Sequence, residues 1–200
     1  MNFAEFLSIV RCDLASRTQV LSLKALFKDP ISRFHLYLRL TEYLATKKRS
    51  KLVFSPLYFF IKWRFQSLSA RLGFSIPENT LGKGVYLPHY GTIVVNSRAY
   101  VGDYSVLNVG VVLGRHPSSK AAVPTLGQGV FVGPGVKIFG DTHIGSNSVI
   151  GANSVVSSEV PAKQLWAGSP ASFKRVIDLP EYKQFLGIES AWQDWSQESS

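Results

Sequence analysis

Five consecutive hexads, LGQGVF-VGPGVK-IFGDTH-IGSNSV-IGANSV over residues 126–155, decide the fold of this chain. Each opens on an aliphatic residue, namely Leu126, Val132, Ile138, Ile144 and Ile150, and Val156 opens the next. Upstream the same count holds at Leu81 and Leu87, slips by two residues, and continues at Val95, Val101, Leu107 and Leu113. The residue after the aliphatic is usually Gly, Asn or Pro, as at Gly82, Pro88, Asn96, Gly102, Asn108, Gly127, Gly133, Gly145 and Gly151. Four places after it stands a small or β-branched residue: Ala99, Ser105, Val111, Val130, Val136, Thr142, Ser148 or Ser154. A period of six is neither the two of a flat strand nor the 3.6 of a helix, and it predicts a parallel β-helix. The aliphatic points into a narrow prism, the small residue fills the remaining interior, and the following Gly or Asn is expected to take the tight corner. Three hexads make one triangular coil, and stacked coils bury a continuous core.

The chain has 200 residues, 46% of them hydrophobic, enough for one sizeable core or two small ones. No apolar run is long enough to cross a bilayer, and Glu5, Arg11 and Asp13 within Met1–Leu14 predict no secretory leader. A single cysteine, Cys12, rules out an internal disulfide and suits a reducing cytoplasm. It lies in an amphipathic helix and is read as core packing. The net charge of +9 is concentrated in the N-terminal third, notably at Lys47, Lys48, Arg49 and Lys51. An anionic membrane surface, a phosphorylated small molecule, or simple solvation would each explain it. No groove-reading motif accompanies the charge, so nucleic acid is not expected as a partner.

Residues 1–73 read as an α-helical N-terminal domain. Phe3, Phe6, Ile9, Val10 and Leu14 keep helical spacing, and Asp29-Pro30 and Ser55-Pro56 each pair an N-cap with a proline at the first helical position. The second of these helices runs through Leu57, Phe60, Ile61, Phe65 and Leu68 to Gly73, a C-terminal cap, and also carries Phe59 and Trp63 on its opposite side. An apolar surface of that kind predicts a cover, and subunit contact is the preferred one. Residues 74–176 form the β-helix, with Phe74–Thr80 as an imperfect first rung, and residues 177–200 form a tail with Trp192 and Trp195 as its large anchors. The fold class is α+β by segregation.

A prism has no pocket of its own, so a ligand needs a subunit groove or a protruding loop. Residues 115–125 break the hexad count and form such a loop, with His116, Pro117, Lys120, Val123 and Pro124. Of four histidines, His35 reads as structural and His143 as a regular outward position. His89, in Leu87-Pro88-His89-Tyr90-Gly91 beside the slip, and His116 remain as possible general bases for an alcohol. Neither has partners at metal-ligand spacing, so no metal site is expected.

Several motifs together resemble the hexapeptide-repeat acetyltransferases, and most closely their serine-acetyltransferase branch with its relatives in surface-polysaccharide synthesis. They are Leu87–Gly91 with Ile93-Val94-Val95, Pro124-Thr125-Leu126-Gly127, Ile150–Val156, Val160-Pro161 and Ala167-Gly168-x-Pro170-Ala171. A weaker likeness extends into the helices through Val10–Leu14 and Tyr37–Tyr43. The resemblance implies a left-handed coil, a homotrimer or dimer of trimers, and acetyl-CoA as acyl donor. It assigns His89 as the general base and lays the donor along the coil edges near Gly114, Gly133, Pro134 and Ala152. Lys137, Lys174 or Arg175 would meet its phosphates, the last two by charge rather than by motif.

The departures bear on the acceptor. The branch's acidic partner for the histidine falls at Phe74, and its serine-binding acids fall at Pro88 and, in a looser alignment, near Val20. Its loop histidine falls at Val123. His116-Pro117 instead resembles the catalytic loop of the galactoside and maltose branch. An ammonium site without carboxylates would leave a buried charge unpaired. These readings predict an O-acetyltransferase acting on a sugar or surface-polysaccharide intermediate in the cytoplasm, with peripheral contact at the inner membrane face. Serine O-acetylation is the alternative, and a non-catalytic scaffold or sugar-binding prism is a third. The ending Glu198-Ser199-Ser200 lacks the C-terminal isoleucine that docks serine acetyltransferases to cysteine synthase, so no such complex is expected.

Overall fold

The structure is a computed structural model and describes residues 1–17, 29–48, 55–119 and 122–178. Expectations for Val20, Arg49, Lys51, Lys120 and the tail beyond Asp178, and for the side chains of Lys48 and Ser55, lie outside what it describes.

Helix α1 covers Phe3–Ala15 and opens on a reciprocal cap, in which Asn2 accepts from the Glu5 amide and Glu5 accepts from the Asn2 amide. Helix α2 covers Pro30–Lys48, and helix α3 covers Ser55–Leu72. Asp29 caps α2 by accepting from the amides of Ile31 and Ser32, as its position before Pro30 predicts. Gly73 ends α3 in the left-handed region at φ +79°, where a side chain would be strained. Phe34 of α2 packs on Phe65 of α3 and, edge-on, on Phe74, which seats the helices against the first rung.

Among the described residues thirteen strands follow in three faces. β1 (Phe74–Ser75), β2 (Ile93–Val95), β5 (Val112–Gly114), β8 (Lys137–Phe139) and β11 (Val155–Val156) stack in parallel in that order. A second face stacks β4 (Val106–Leu107), β7 (Phe131–Val132), β10 (Val149–Ile150) and β12 (Gln164–Gly168), and β13 (Ala171–Val176) closes it antiparallel. The third holds β3 (Tyr100–Val101), β6 (Thr125–Leu126) and β9 (His143–Ile144). Lys137 pairs with Val155 and Phe131 with Val149, eighteen residues on, which is three hexads per coil. Val112 pairs with Lys137, seven residues more, because the loop after β5 intervenes. Leu81 pairs with Val101, two residues more, because of the slip at His89.

Every hexad-opening aliphatic from Leu81 to Val156 is buried, and so is each small residue four places on. The buried hydroxyls are spent on the backbone: Ser105 donates to the Gly127 carbonyl and accepts from the Val130 amide, and Ser148 and Ser154 do the same between their own coils. One expectation is corrected. The residue after the aliphatic does not take the left-handed corner; that conformation falls two places later, at Gly110, Gly129, Gly135, Asn147 and Asn153. The first glycine is needed for closeness instead. A Cβ on Gly102 would stand 2.4 Å from the Gly127 carbonyl carbon, where backbone stacks on backbone.

A buried ion network joins the helices to the first coil. Arg39 donates to Asp13 at 2.7 Å, to Glu42 at 3.0 Å and to the carbonyls of Leu81 and Gly82. Asp13 also accepts from the Gly84 amide, and Glu42 from the Asn79 amide. Burial pushes the Asp13 carboxyl up, but the charge and hydrogen bonds of Arg39, with the His35 ring 3.7 Å away, outweigh it and hold it below the ordinary carboxylate value.

Candidate active site

The two-residue slip lifts Pro88-His89-Tyr90 out of the prism surface. His89 is exposed, Tyr90 is 71% exposed, and His89 makes no hydrogen bond among the described residues. The segment leads directly into β2, so His89 stands where the chain turns onto the face of β2, β5, β8 and β11. Each later coil turns onto that face in the same place. The Gly110 amide donates to the Thr92 carbonyl, the Gly135 amide to the Val109 carbonyl, and the Asn153 amide to the Pro134 carbonyl. Gly91-Thr92 therefore heads a corner column whose lower rungs are Val109-Gly110, Pro134-Gly135 and Ala152-Asn153, and His89 lies two residues before its top rung. Four rungs at about 4.8 Å spacing extend about 14 Å.

Of the residues expected to serve the donor, Gly133, Pro134, Lys137 and Ala152 lie on or beside this column. Pro134 and Ala152 are exposed, and Gly133 is buried with no room for a Cβ against the Ala152 amide. The Lys137 ammonium donates to the carbonyls of Gly110 and Gly135, which fixes a positive charge between two rungs. A rail of small corners with a cation at its side fits an extended, phosphate-bearing acyl carrier. Lys174 and Arg175 lie on exposed β13, where Lys174 donates to the Ser172 hydroxyl.

Gly114, the last residue of β5, and His116, just beyond it, lie at the exit edge of the same face. A Cβ on Gly114 would strike the Phe139 ring at 2.6 Å, and His116 packs over Gly140. The His116 Nδ1 accepts from the Ser118 amide at 3.2 Å and lies 2.6 Å from its hydroxyl. An amide can only donate, so the neutral ring carries its proton on Nε2 and offers a donor there, not a base.

Phe74, paired with Ile93 four residues after His89, puts a buried ring into the core. Sequence reasoning missed Arg17 and the second use of Asp29. Arg17 donates to the Asp29 carboxylate at 2.6 Å and to the Leu87 carbonyl, two residues before His89, and its guanidinium lies 5.7 Å from the Tyr86 ring centre. Asp29 is thus shared between capping, Ser32 and Arg17. Burial raises its carboxyl, but the Ser32 and Arg17 hydrogen bonds and the Arg17 charge leave it lowered. An isolated arginine after a helix carries no sequence signal for a contact seventy residues on.

His35 is buried in α2, 3.7 Å from Asp13, and His143 is exposed on β9, both outside the column. A separate pocket of about 470 Å³ opens at the helix–prism junction beside Arg39, Glu42, Lys83, Tyr100 and Asp103, and no histidine lines it. Among the described residues no three His, Cys, Asp or Glu side chains cluster to hold a metal ion, and no helix is long and apolar enough to cross a membrane.

Residues 124–158 match the bacterial transferase hexapeptide (six repeats) family. A serine acetyltransferase of Synechococcus elongatus is 40% identical over 95 residues, 47% of this chain and 39% of that protein. The crystal structure of serine acetyltransferase from Brucella abortus strain S19 superposes with a TM-score of 0.69 at 29% identity, over 88% of this chain and 71% of the other. A serine acetyltransferase solved in complex with CoA superposes at 0.65 with 26% identity, over 86% and 70%. The aligned stretch spans about two fifths of the curated relatives' own length. The repeat region is of the hexapeptide-transferase type, and the chain is similar to serine acetyltransferases through both its helices and its prism.

Proposed function

We propose that this hexapeptide-repeat chain, similar to serine acetyltransferases, is an acetyl-CoA-dependent O-acetyltransferase with His89 as its general base. The observation that carries the reading is the corner column, which has an exposed imidazole two residues before its top rung and continues past Pro134, Ala152 and a fixed lysine. His89 would accept the proton of the acceptor hydroxyl as that oxygen attacks the acetyl carbon, and return it to the departing sulfur. The donor supplies an activated thioester; Gly133, Pro134, Lys137 and Ala152 would hold its arm, with Lys174 and Arg175 towards its charged end. In this reading residues 74–176 are the catalytic unit, coiled left-handed, residues 1–73 the helical unit, and 177–200 a tail. A homotrimer, or a pair of trimers, would close the column with a neighbouring subunit and bring a second copy's Gly114 and His116 towards it.

The named relatives support serine as acceptor better than they support a sugar. One local observation favours a sugar or other acceptor without an amine: Pro88 and Phe74 supply no carboxylate, and Asp29 is already paired with Arg17. Incubating the protein and acetyl-CoA with L-serine and with a sugar panel, then weighing products by mass spectrometry, decides between them. O-Acetylserine alone establishes the serine reading, and an acetylated sugar alone the other. Bound acetyl-CoA with no product from any acceptor removes the enzymatic reading in favour of a scaffold.

Cytoplasmic work beside a membrane rests on the helices. α3 exposes Leu57, Phe60 and Trp63, and the one acid within α2 and α3, Glu42, is buried on Arg39. An apolar face among cations suits an anionic bilayer surface. Flotation with anionic liposomes tests this, and protein that stays entirely at the bottom of the gradient counts against it.

A further inference from the structure

The prism holds the segment that bears His89 through Tyr86 and Thr92, and the helical region adds a second anchor at each end. At its exit, the Gly91 amide donates to the Leu72 carbonyl at 2.8 Å and the Ile93 amide to the Gly73 carbonyl at 3.2 Å. Contact there is so close that a Cβ on Gly73 would stand 3.0 Å from the Gly91 carbonyl carbon. At its entry the Leu87 carbonyl accepts from Arg17, whose Nε and Nη2 also reach both Asp29 oxygens. Pro88, His89 and Tyr90 span the gap. Proline has no amide to donate and Tyr90 is largely in solvent, so where His89 stands depends on how the two ends are held, by the coil bonds of Tyr86 and Thr92 and by these two anchors.

We infer that Arg17, locked by Asp29, is a positioning residue for His89. The inference rests on the proposed role of His89 as base. Only a guanidinium fits here: its planar fork meets a carboxylate along one edge and a carbonyl along another, while its face lies towards the Tyr86 ring. A lysine would keep the charge and lose the simultaneous contacts. Asp29 contributes from the far side of the 18–28 segment, so the end of α1 and the start of α2 are tied to the same loop. A base displaced by about 1 Å costs about a hundredfold in rate, so a clamp at this point acts on chemistry without touching the substrate.

The test compares the full chain with Arg17→Met, Arg17→Lys and Asp29→Asn. Amide hydrogen exchange across Tyr86–Gly91 is followed together with thiol release from acetyl-CoA. Arg17→Met is expected to speed exchange about tenfold at Tyr86 and Gly91, whose amides are bonded to the Ser105 and Leu72 carbonyls. It should lower kcat between about tenfold and a hundredfold, with the KM for acetyl-CoA within about twofold of the parent. Arg17→Lys should recover part of both losses. Asn at position 29 keeps the cap but loses the ion pair, so Asp29→Asn should move both readouts the same way, and it serves if Arg17→Met does not fold. Parental exchange and kcat in a folded variant would overturn the inference. Faster exchange with unchanged kcat would overturn it too, since Arg17 would then support only the fold. If the parent turns over no acceptor, the functional reading fails while the exchange data still judge the clamp.

Discussion

Two histidines are candidates for the proposed base, and their ring contacts separate them. Among the described residues His89 makes no hydrogen bond, and its ring is exposed to an incoming hydroxyl. His116 spends Nδ1 on Ser118 and presents Nε2–H outward. Replacing His116 with Ala should therefore lower kcat by less than about tenfold, measured by thiol release. A base-sized loss there would transfer the role to the loop. At the same scale, Phe74 buries a ring where the resemblance places an acid, so a base at His89 would have no carboxylate from that position. Such a residue is legible in a sequence because its neighbours in the chain are its neighbours in the motif. Arg17 was not, since its partners lie twelve and seventy residues away and nothing local marks them.

Among the elements, the coils obey a rule of spacing more than of conformation. The aliphatic column of the prism was readable in full, because a period of six leaves the same residue facing inward on every edge. Its corners were misread by two positions. A glycine suits both a left-handed turn and a close approach, and composition alone does not tell the two apart. Gly102 belongs to the second kind: its φ lies outside the left-handed region, yet its absent Cβ makes room for Gly127. Gly102→Ala should cost about 1–3 kcal/mol by overpacking, read as a lower urea midpoint with unchanged slope. No loss of stability would mean that the coils part more easily than their stacking implies.

Taken whole, the molecule is welded at its first coil. Asp13, Arg39 and Glu42 join α1 and α2 to the backbone at Asn79, Leu81, Gly82 and Gly84. The sequence predicted helices and prism but not their junction, because a buried ion network is a property of the assembled parts. Asp13→Asn should remove about 3–5 kcal/mol, since Arg39 stays buried with one partner fewer; chemical denaturation measures it. Asp13 and Asp29 both titrate below their ordinary value of 3.8 in the folded chain. Their contribution is complete above the unfolded value and is lost as pH falls through the lower folded values. Unfolding free energy followed into acid should thus fall below about pH 4, and Asp13→Asn should flatten that fall.

The most direct measurement of the central claim is the rate of thiol release from acetyl-CoA by the parent chain and by His89→Ala, with acceptor present and acetyl-CoA binding followed alongside by calorimetry. A general base just before the top rung of the column predicts that His89→Ala loses about 10²–10⁴-fold in kcat while binding acetyl-CoA as tightly as the parent. An His89→Ala protein that still releases thiol at the parental rate would contradict the account.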